Sequence, residues 1–378
     1  MRFPKILRRG TIAASAISLS VVVFSPLSSE TGAVTTNCGA VPSVSSLSTL
    51  QLVSQLIVPT ISATAISNST QIATSAYAGI MITGSTAPSN FSSQVAKMQQ
   101  ASPLQIPLFV MTDAEGGGVM RLANALPSLP WAQTMGKWNS DRIRLAASNL
   151  GRALASLGIN MDLAPVADVD GRPQVPGYAN PDGLRSFSGV PSIAGTAATA
   201  FASGLAAQNV VASAKHFPGI GYSSRNSDFG SALTKTWAQL QSTGLVPFRS
   251  LIAAGVPVIM MSNNSTPGFS NLPASLSPQM YAYLRSTLNF SGLTITDSLS
   301  AGAISALHIG LSEAAVRAVI AGADLVLLGG SSSVTQALSN ANAARASLAI
   351  AVQSGRLPLA TLQSDAMTVL SAKHNLFC

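Results

Sequence analysis

Short apolar runs rich in β-branched residues recur along the chain, separated by longer stretches in which apolar positions return every three or four residues. The runs fall at 79–83, 107–112, 159–163, 210–214, 256–261, 293–296 and 324–328, and their lengths and flanks predict buried strands. Helical spacing is clearest over 140–157, 195–208, 237–254, 277–288 and 311–321. This β-α-β-α order predicts an α/β fold, a (β/α)8 TIM-type barrel in which one strand is missed or irregular. A doubly wound open sheet is the alternative. Polar residues separate the two, because the strand runs end in, or soon lead to, Asp113 and Glu115, Asp168, Lys215 and His216, Ser262 and Asn263, Asp297, and Gly329-Gly330. A barrel gathers every strand C-terminus around one mouth, so this convergence favours it. No repeat or linker divides the chain after about residue 45, which predicts one domain over 46–378 behind a short extension, 34–45.

Composition narrows the possibilities. Only 9% of the 378 residues are charged, against about 25% in an average soluble protein, so the surface is built largely from Ser, Thr, Asn, Gln and Ala. The net charge is +8, yet nowhere do Lys and Arg concentrate into a nucleic-acid footprint. Arg2, Lys5, Arg8 and Arg9 precede an apolar run over 11–24, the order of a secretory signal occupying 1–33. That run is short for a bilayer span, and an uncleaved anchor is the competing reading. No later segment reads as a transmembrane helix. In an oxidising compartment Cys38 and Cys378 are expected to pair, which requires neighbouring termini and stabilises by roughly 2–4 kcal/mol. Lipidation of Cys38 is the alternative, although residues 34–37 lack the small apolar character of a lipoprotein signal. No His, Cys and Asp cluster has metal-ligand spacing, and nothing indicates an organic cofactor.

Particular blocks carry a resemblance. Asp113-Ala114-Glu115-Gly116-Gly117, Ala164-Pro165-Val166-Ala167-Asp168-Val169, Arg185-Ser186-Phe187, Lys215-His216-Phe217-Pro218-Gly219 and Ile295-Thr296-Asp297-Ser298-Leu299-Ser300 occur in the order and approximate spacing of glycoside hydrolase family 3. The chain resembles that family over about residues 50–375, most of all its single-barrel β-N-acetylhexosaminidase branch. The resemblance implies a retaining glycosidase acting on carbohydrate, with Asp297 as the nucleophile that forms a glycosyl-enzyme intermediate; the N-terminal signal adds the expectation of export, and a monomer is expected. A strand end also holds a carboxylate rigidly at a barrel mouth, though an Asp before Ser-Leu-Ser can equally cap a helix. By resemblance Lys215 and His216 bond sugar hydroxyls, Asp113 accepts from hydroxyls deep in the subsite, Arg185 contacts the sugar or its acetamido group, and Arg121 is the motif arginine. An ion pair between Asp113 and Arg185 is the bland alternative. Asp168 serves either to order loops or to touch substrate, and Gly116-Gly117-Gly118 is read as letting a loop pass close to the sugar.

One loop departs from the pattern. The branch carries an Asp-Ser-His triplet after the Lys-His block, its histidine acting as acid/base; here the positions hold Asn226-Ser227-Asp228. Ile220 replaces a second usual histidine, Gly118 replaces an arginine, and His308 and His374 lie elsewhere in the chain. Asp228 is the candidate proton donor, because desolvation raises a carboxyl pKa toward an acid catalyst's value. A turn-forming, solvated Asp228 is the alternative, and Tyr222 is a weaker candidate. The functional expectation is β-N-acetylhexosaminidase activity on cell-wall or chitin-type fragments. Another β-glycoside, phosphorolysis, or sugar binding without catalysis remain the alternatives.

Overall fold

The computed structural model describes residues 38–378; the secretory signal expected over 1–33 and the start of the 34–45 extension lie outside the described residues. Parallel strands β2 (Gly79–Thr83), β3 (Phe109–Thr112), β4 (Met161–Asp162), β5 (Val211–Phe217), β6 (Val258–Met261) and β7 (Leu293–Thr296) pair in sequence order. Strand β8 (Val326–Leu327) joins β7 through Leu325, which bridges Ile295.

Closure depends on a strand the hydrophobic pattern hides. Strand β1 comprises Ile57–Val58 and, after Pro59, Thr60–Ser62. Its first part pairs with β8 and its second with β2, so the sheet closes into an eight-stranded parallel barrel. A proline within a strand normally argues against the assignment, since it cannot donate to a ladder. Here the missing N–H falls where the strand changes partner, and the Pro59 carbonyl still accepts the Met81 N–H at 2.9 Å. That interruption is the irregular strand expected from the sequence.

The stretch expected as one helix over 237–254 is two, Trp237–Ser242 and Leu245–Ala253. They break at Gly244, whose backbone lies against Gly219, where an added Cβ would come within 2.8 Å of Gly244 Cα. The segment at 277–288 winds as Pro278–Ala282 and then a π turn, Tyr283–Thr287. Helix Pro191–Ala206 buries a stripe of alanines and lies so close to Ser140–Ser156 that a Cβ on Gly204 would sit 2.4 Å from the Arg144 carbonyl. Small residues thus supply the close packing that a chain poor in ion pairs needs. Two closing helices, Val334–Gln353 and Leu359–Phe377, follow β8.

The expected disulfide, Cys38 to Cys378, is present. It lies at the barrel's N-terminal end: Gly39 donates to the Gln105 carbonyl just ahead of β3, and Phe377 packs edge-on against Phe109 at 5.4 Å. Cys38 is therefore tied to the last residue, Cys378, on the face opposite the mouth. Lys373 is buried at the same end and donates to Gln55 Oε1 at 3.0 Å. Burial pushes its ammonium down to about 7 from 10.5. A folded pKa below the unfolded one means that the unfolded chain holds the extra proton between those values, so stability from this group grows as pH rises through the window. Lys373→Met is expected to stabilise the fold at neutral pH by about 1–3 kcal/mol. It should also flatten this part of the pH dependence, as thermal melts at pH 7 and 10 will show.

Candidate active site

The β3, β4 and β5 ends build a charged floor to the mouth. Lys215, at the end of β5, lies 2.6 Å from Asp113 Oδ1 and 2.6 Å from Glu115 Oε1, both just beyond β3. Glu115 also takes a bidentate pair from Arg185, with Nε at 2.8 Å and Nη2 at 2.7 Å. Burial alone would push the Glu115 carboxyl up, but the Arg185 and Lys215 cations hold it well below the usual carboxylate range. The same arrangement overcomes the cost of burying Lys215, whose ammonium is held above its ordinary value by Asp113 and Glu115. Two anions therefore meet two cations. Beneath them Asp162, at the end of β4, is fully buried, and burial pushes its carboxyl up to about 8. A neutral acid at this point adds no third negative charge and accepts the Ala114 N–H at 2.9 Å.

His216 is fixed from the β4 side. Asp168, fully buried, places Oδ2 2.7 Å from His216 Nδ1, and its Oδ1 accepts the Ile220 N–H at 2.7 Å. The other ring nitrogen, Nε2, faces the mouth side and lies 3.4 Å from Arg185 Nη2. Asp168 therefore orders both the ring and the chain after β5. Nearby Asp182 is buried and accepts the Ser186 hydroxyl; burial and the charge of Asp168 push its carboxyl well above the usual range.

Asp297 follows β7 directly. Its own N–H donates to the Met261 carbonyl at 2.8 Å, and its Oδ1 accepts the Ser298 N–H at 2.7 Å. The next helix, Gly302–Ser305, begins beyond a turn with Ala301 as its N-cap, so Asp297 caps no helix. Burial pushes the Asp297 carboxyl above its ordinary range; His216 opposes this, Asp228 adds to it, and the Ser298 N–H and Lys215 draw it back. The turn that follows Asp297 is held from both sides. Asn263 donates to the Ser298 carbonyl at 2.7 Å, and Gly329 packs so close that a Cβ there would lie 1.9 Å from Ser298 Oγ. Gly329, at φ +67°, also has a conformation that a side chain would strain.

The loops after β4 and β5 are stitched together over the mouth. Tyr222 donates its backbone N–H to Asp170 at 3.2 Å and accepts the Gly171 N–H on its hydroxyl at 3.1 Å. Its ring lies between Arg172 and Lys235, at 4.8 and 4.4 Å. Asn226 donates its N–H to the Tyr178 carbonyl at 2.9 Å, and its side chain accepts the Asp228 N–H at 2.9 Å, shaping the 3-10 turn Ser227–Phe229. Asp228 is exposed at the tip of that turn.

The glycosyl hydrolase family 3 N-terminal domain matches residues 49–372. The chain belongs to glycosyl hydrolase family 3. It is 32% identical over 276 residues to beta-hexosaminidase LpqI of Mycobacterium tuberculosis, covering 71% of this chain and 68% of that protein. The solved M. tuberculosis LpqI structure superposes with a TM-score of 0.78 at 29% identity, over 89% of this chain and 97% of the other. A family 3 beta-N-acetylglucosaminidase from Paenibacillus sp. FPU-7 gives a TM-score of 0.78 at 30% identity, over 88% of this chain and 63% of that one.

Within this family 3 barrel, Asp113, Arg185, Lys215, His216 and Asp297 meet at the mouth, as their motifs led us to expect. The ion pair considered between Asp113 and Arg185 does not form: Arg185 pairs with Glu115, and Asp113 with Lys215. Arg121 approaches Asp113 only to 4.0 Å, and its Nε is buried without a hydrogen-bond partner among the described residues. The glycine turn makes a close approach within the chain itself. What passes close to Gly117 and Gly118 is the Trp131 ring, which a Cβ would meet at 2.1 and 2.8 Å respectively. Trp131 thus fills the space over Gly118, the position where the family's motif has an arginine. Tyr222, weighed as a proton donor, has its hydroxyl engaged in joining the loops. Sequence reasoning passed over Glu115 as a site residue, although its place two residues after Asp113 signalled it, and gave no role to Asp162, which reads as an ordinary strand end.

Proposed function

We propose that the chain is an exported, retaining β-N-acetylhexosaminidase that removes terminal β-linked N-acetylglucosamine from cell-wall or chitin-type saccharides. The observation that carries this reading is Asp297, a half-buried carboxylate directly after β7, anchored by its backbone N–H to the Met261 carbonyl and with Oδ1 accepting the Ser298 N–H, at the mouth where β5 ends in Lys215 and His216. The beta-hexosaminidase names of the matched relatives support the substrate class. Lys215, Arg185, Arg121 and His216 supply donors and an acceptor converging on one space, and Asp113 accepts from hydroxyls; such a set suits a neutral, hydroxyl-rich ring.

In the first half-reaction Asp297 attacks the anomeric carbon as the glycosidic bond breaks, while Asp228 gives its proton to the departing oxygen. In the second, Asp228 takes a proton from water, whose oxygen displaces Asp297 and restores the anomeric configuration. Partial burial strips the nucleophile of part of the water that would solvate its charge, and the Ser298 N–H keeps one oxygen oriented. Export accords with the disulfide and with the absence, among the described residues, of any helix long and apolar enough to cross a membrane.

The test is incubation of the purified chain with matched aryl β-N-acetylglucosaminide and β-glucoside, with and without phosphate. Faster release from the first, yielding free sugar of retained configuration, is the expected result. Preference for the glucoside, or formation of a sugar phosphate, would replace this reading by another β-glycosidase or by a phosphorylase. Binding without turnover would leave a sugar-recognition protein.

A further inference from the structure

We propose that the touching rings of Tyr178 and Phe229 form the subsite that receives the leaving-group sugar, and so set the enzyme's preference for saccharide over small aglycones. The proposal deepens the functional reading above and rests on its placement of the glycosidic bond between Asp297 and Asp228.

Both rings are left in solvent, Tyr178 at 59% and Phe229 at 60% exposure, although their centroids lie 5.5 Å apart at a 45° tilt. A single exposed apolar side chain needs no explanation, but two large rings meeting across two different loops are a built surface. The backbone beneath them is fixed. The Asn226 N–H to Tyr178 carbonyl bond ties the loops together, and a turn in which Gly177 N–H donates to the Asn180 carbonyl shapes the Tyr178 side. On the other side, the 228–230 backbone is seated against Gly302, where a Cβ would come within 2.6 Å of Gly230 N and 2.8 Å of the Asp228 carbonyl. Any side chain at 302 would displace the turn.

Position then identifies the occupant. Phe229 is the immediate neighbour of Asp228, and the backbone of both is seated against Gly302 on the turn that follows Asp297. A proton donor faces the departing oxygen, so the ring beside it borders the space into which the leaving group extends. The subsite floor is the opposite in character, a charged network of Asp113, Glu115, Arg185 and Lys215 beside His216. An aromatic face instead receives the axial C–H side of a pyranose and makes little demand on its hydroxyl pattern.

Tyr178→Ala and Phe229→Ala are to be compared with the parent chain on the β-1,4-linked N-acetylglucosamine disaccharide and on methyl β-N-acetylglucosaminide. Each truncation is expected to lower kcat/KM for the disaccharide by roughly ten-fold and to leave the methyl glycoside within about two-fold. Phe229→Trp should retain the disaccharide rate, which separates a stacking role from damage to the turn. Calorimetry in an Asp297→Ala background gives the same comparison without turnover: disaccharide binding should weaken with each truncation while binding of free N-acetylglucosamine holds. If the parent chain cleaves nothing but the binding pattern appears, the hydrolase reading falls and the platform survives. Equal losses on both ligands, or no loss on the disaccharide, overturn the platform and leave the hydrolase reading intact.

Discussion

Asp297→Ala is expected to lower kcat on an aryl β-N-acetylglucosaminide by roughly four to six orders of magnitude, the scale at which removal of a covalent nucleophile is felt. The physical ground is that Asp297 directly follows β7, its backbone N–H anchored on the Met261 carbonyl and its carboxylate oriented by the Ser298 N–H. Alanine opens room for a small external nucleophile. Azide should therefore restore part of the rate and give a glycosyl azide of inverted configuration, because the anion attacks from the side that the carboxylate vacated. The parent enzyme's acid limb supplies a second reading. Attack needs the ionised carboxylate, and burial raises the Asp297 pKa, so the rate should fall on acidification at a pH above the ordinary aspartate range. Wild-type turnover that survives Asp297→Ala, or a product of inverted configuration from the parent chain, would remove Asp297 from the chemistry.

The second large effect concerns the altered triplet. Asp228→Asn keeps the side chain's size and the backbone bond to Asn226 but removes the transferable proton. Loss should be about 10²–10⁴-fold in kcat/KM on substrates with a poor leaving group, such as the disaccharide. On an activated aryl glycoside, which departs without much proton donation, glycosylation should change little. A steep dependence on leaving-group pKa in the variant, set against a shallow one in the parent, is the signature to measure. A uniform loss across leaving groups would mean that Asp228 shapes the loop, as the Asn226 turn already does, and that the proton comes from elsewhere.

Much of this molecule could be read from its residues in order. Alternation of apolar runs and helical spacing is a property of near neighbours, so the sequence by itself determined the α/β barrel, most of its strands, and the grouping of Asp113, Lys215, His216 and Asp297 at strand ends. The disulfide too followed from residues alone, given the expected compartment. Strand β1 escaped because Pro59 breaks its pattern, and only the closed barrel shows that β8 and β2 take up its two halves. Charge pairing was likewise invisible. Glu115 meets Arg185 across 70 residues and Asp113 meets Lys215 across 102, and which acid takes which base depends on distances of a few ångströms that no local pattern encodes. The tertiary structure alone decided that Asp168 orients His216, that Trp131 occupies the space over Gly118, and that Tyr178 and Phe229 meet beside Asp228. Periodicity is set by what each residue needs from its immediate chain, whereas an active site is set by what the closed barrel brings within reach.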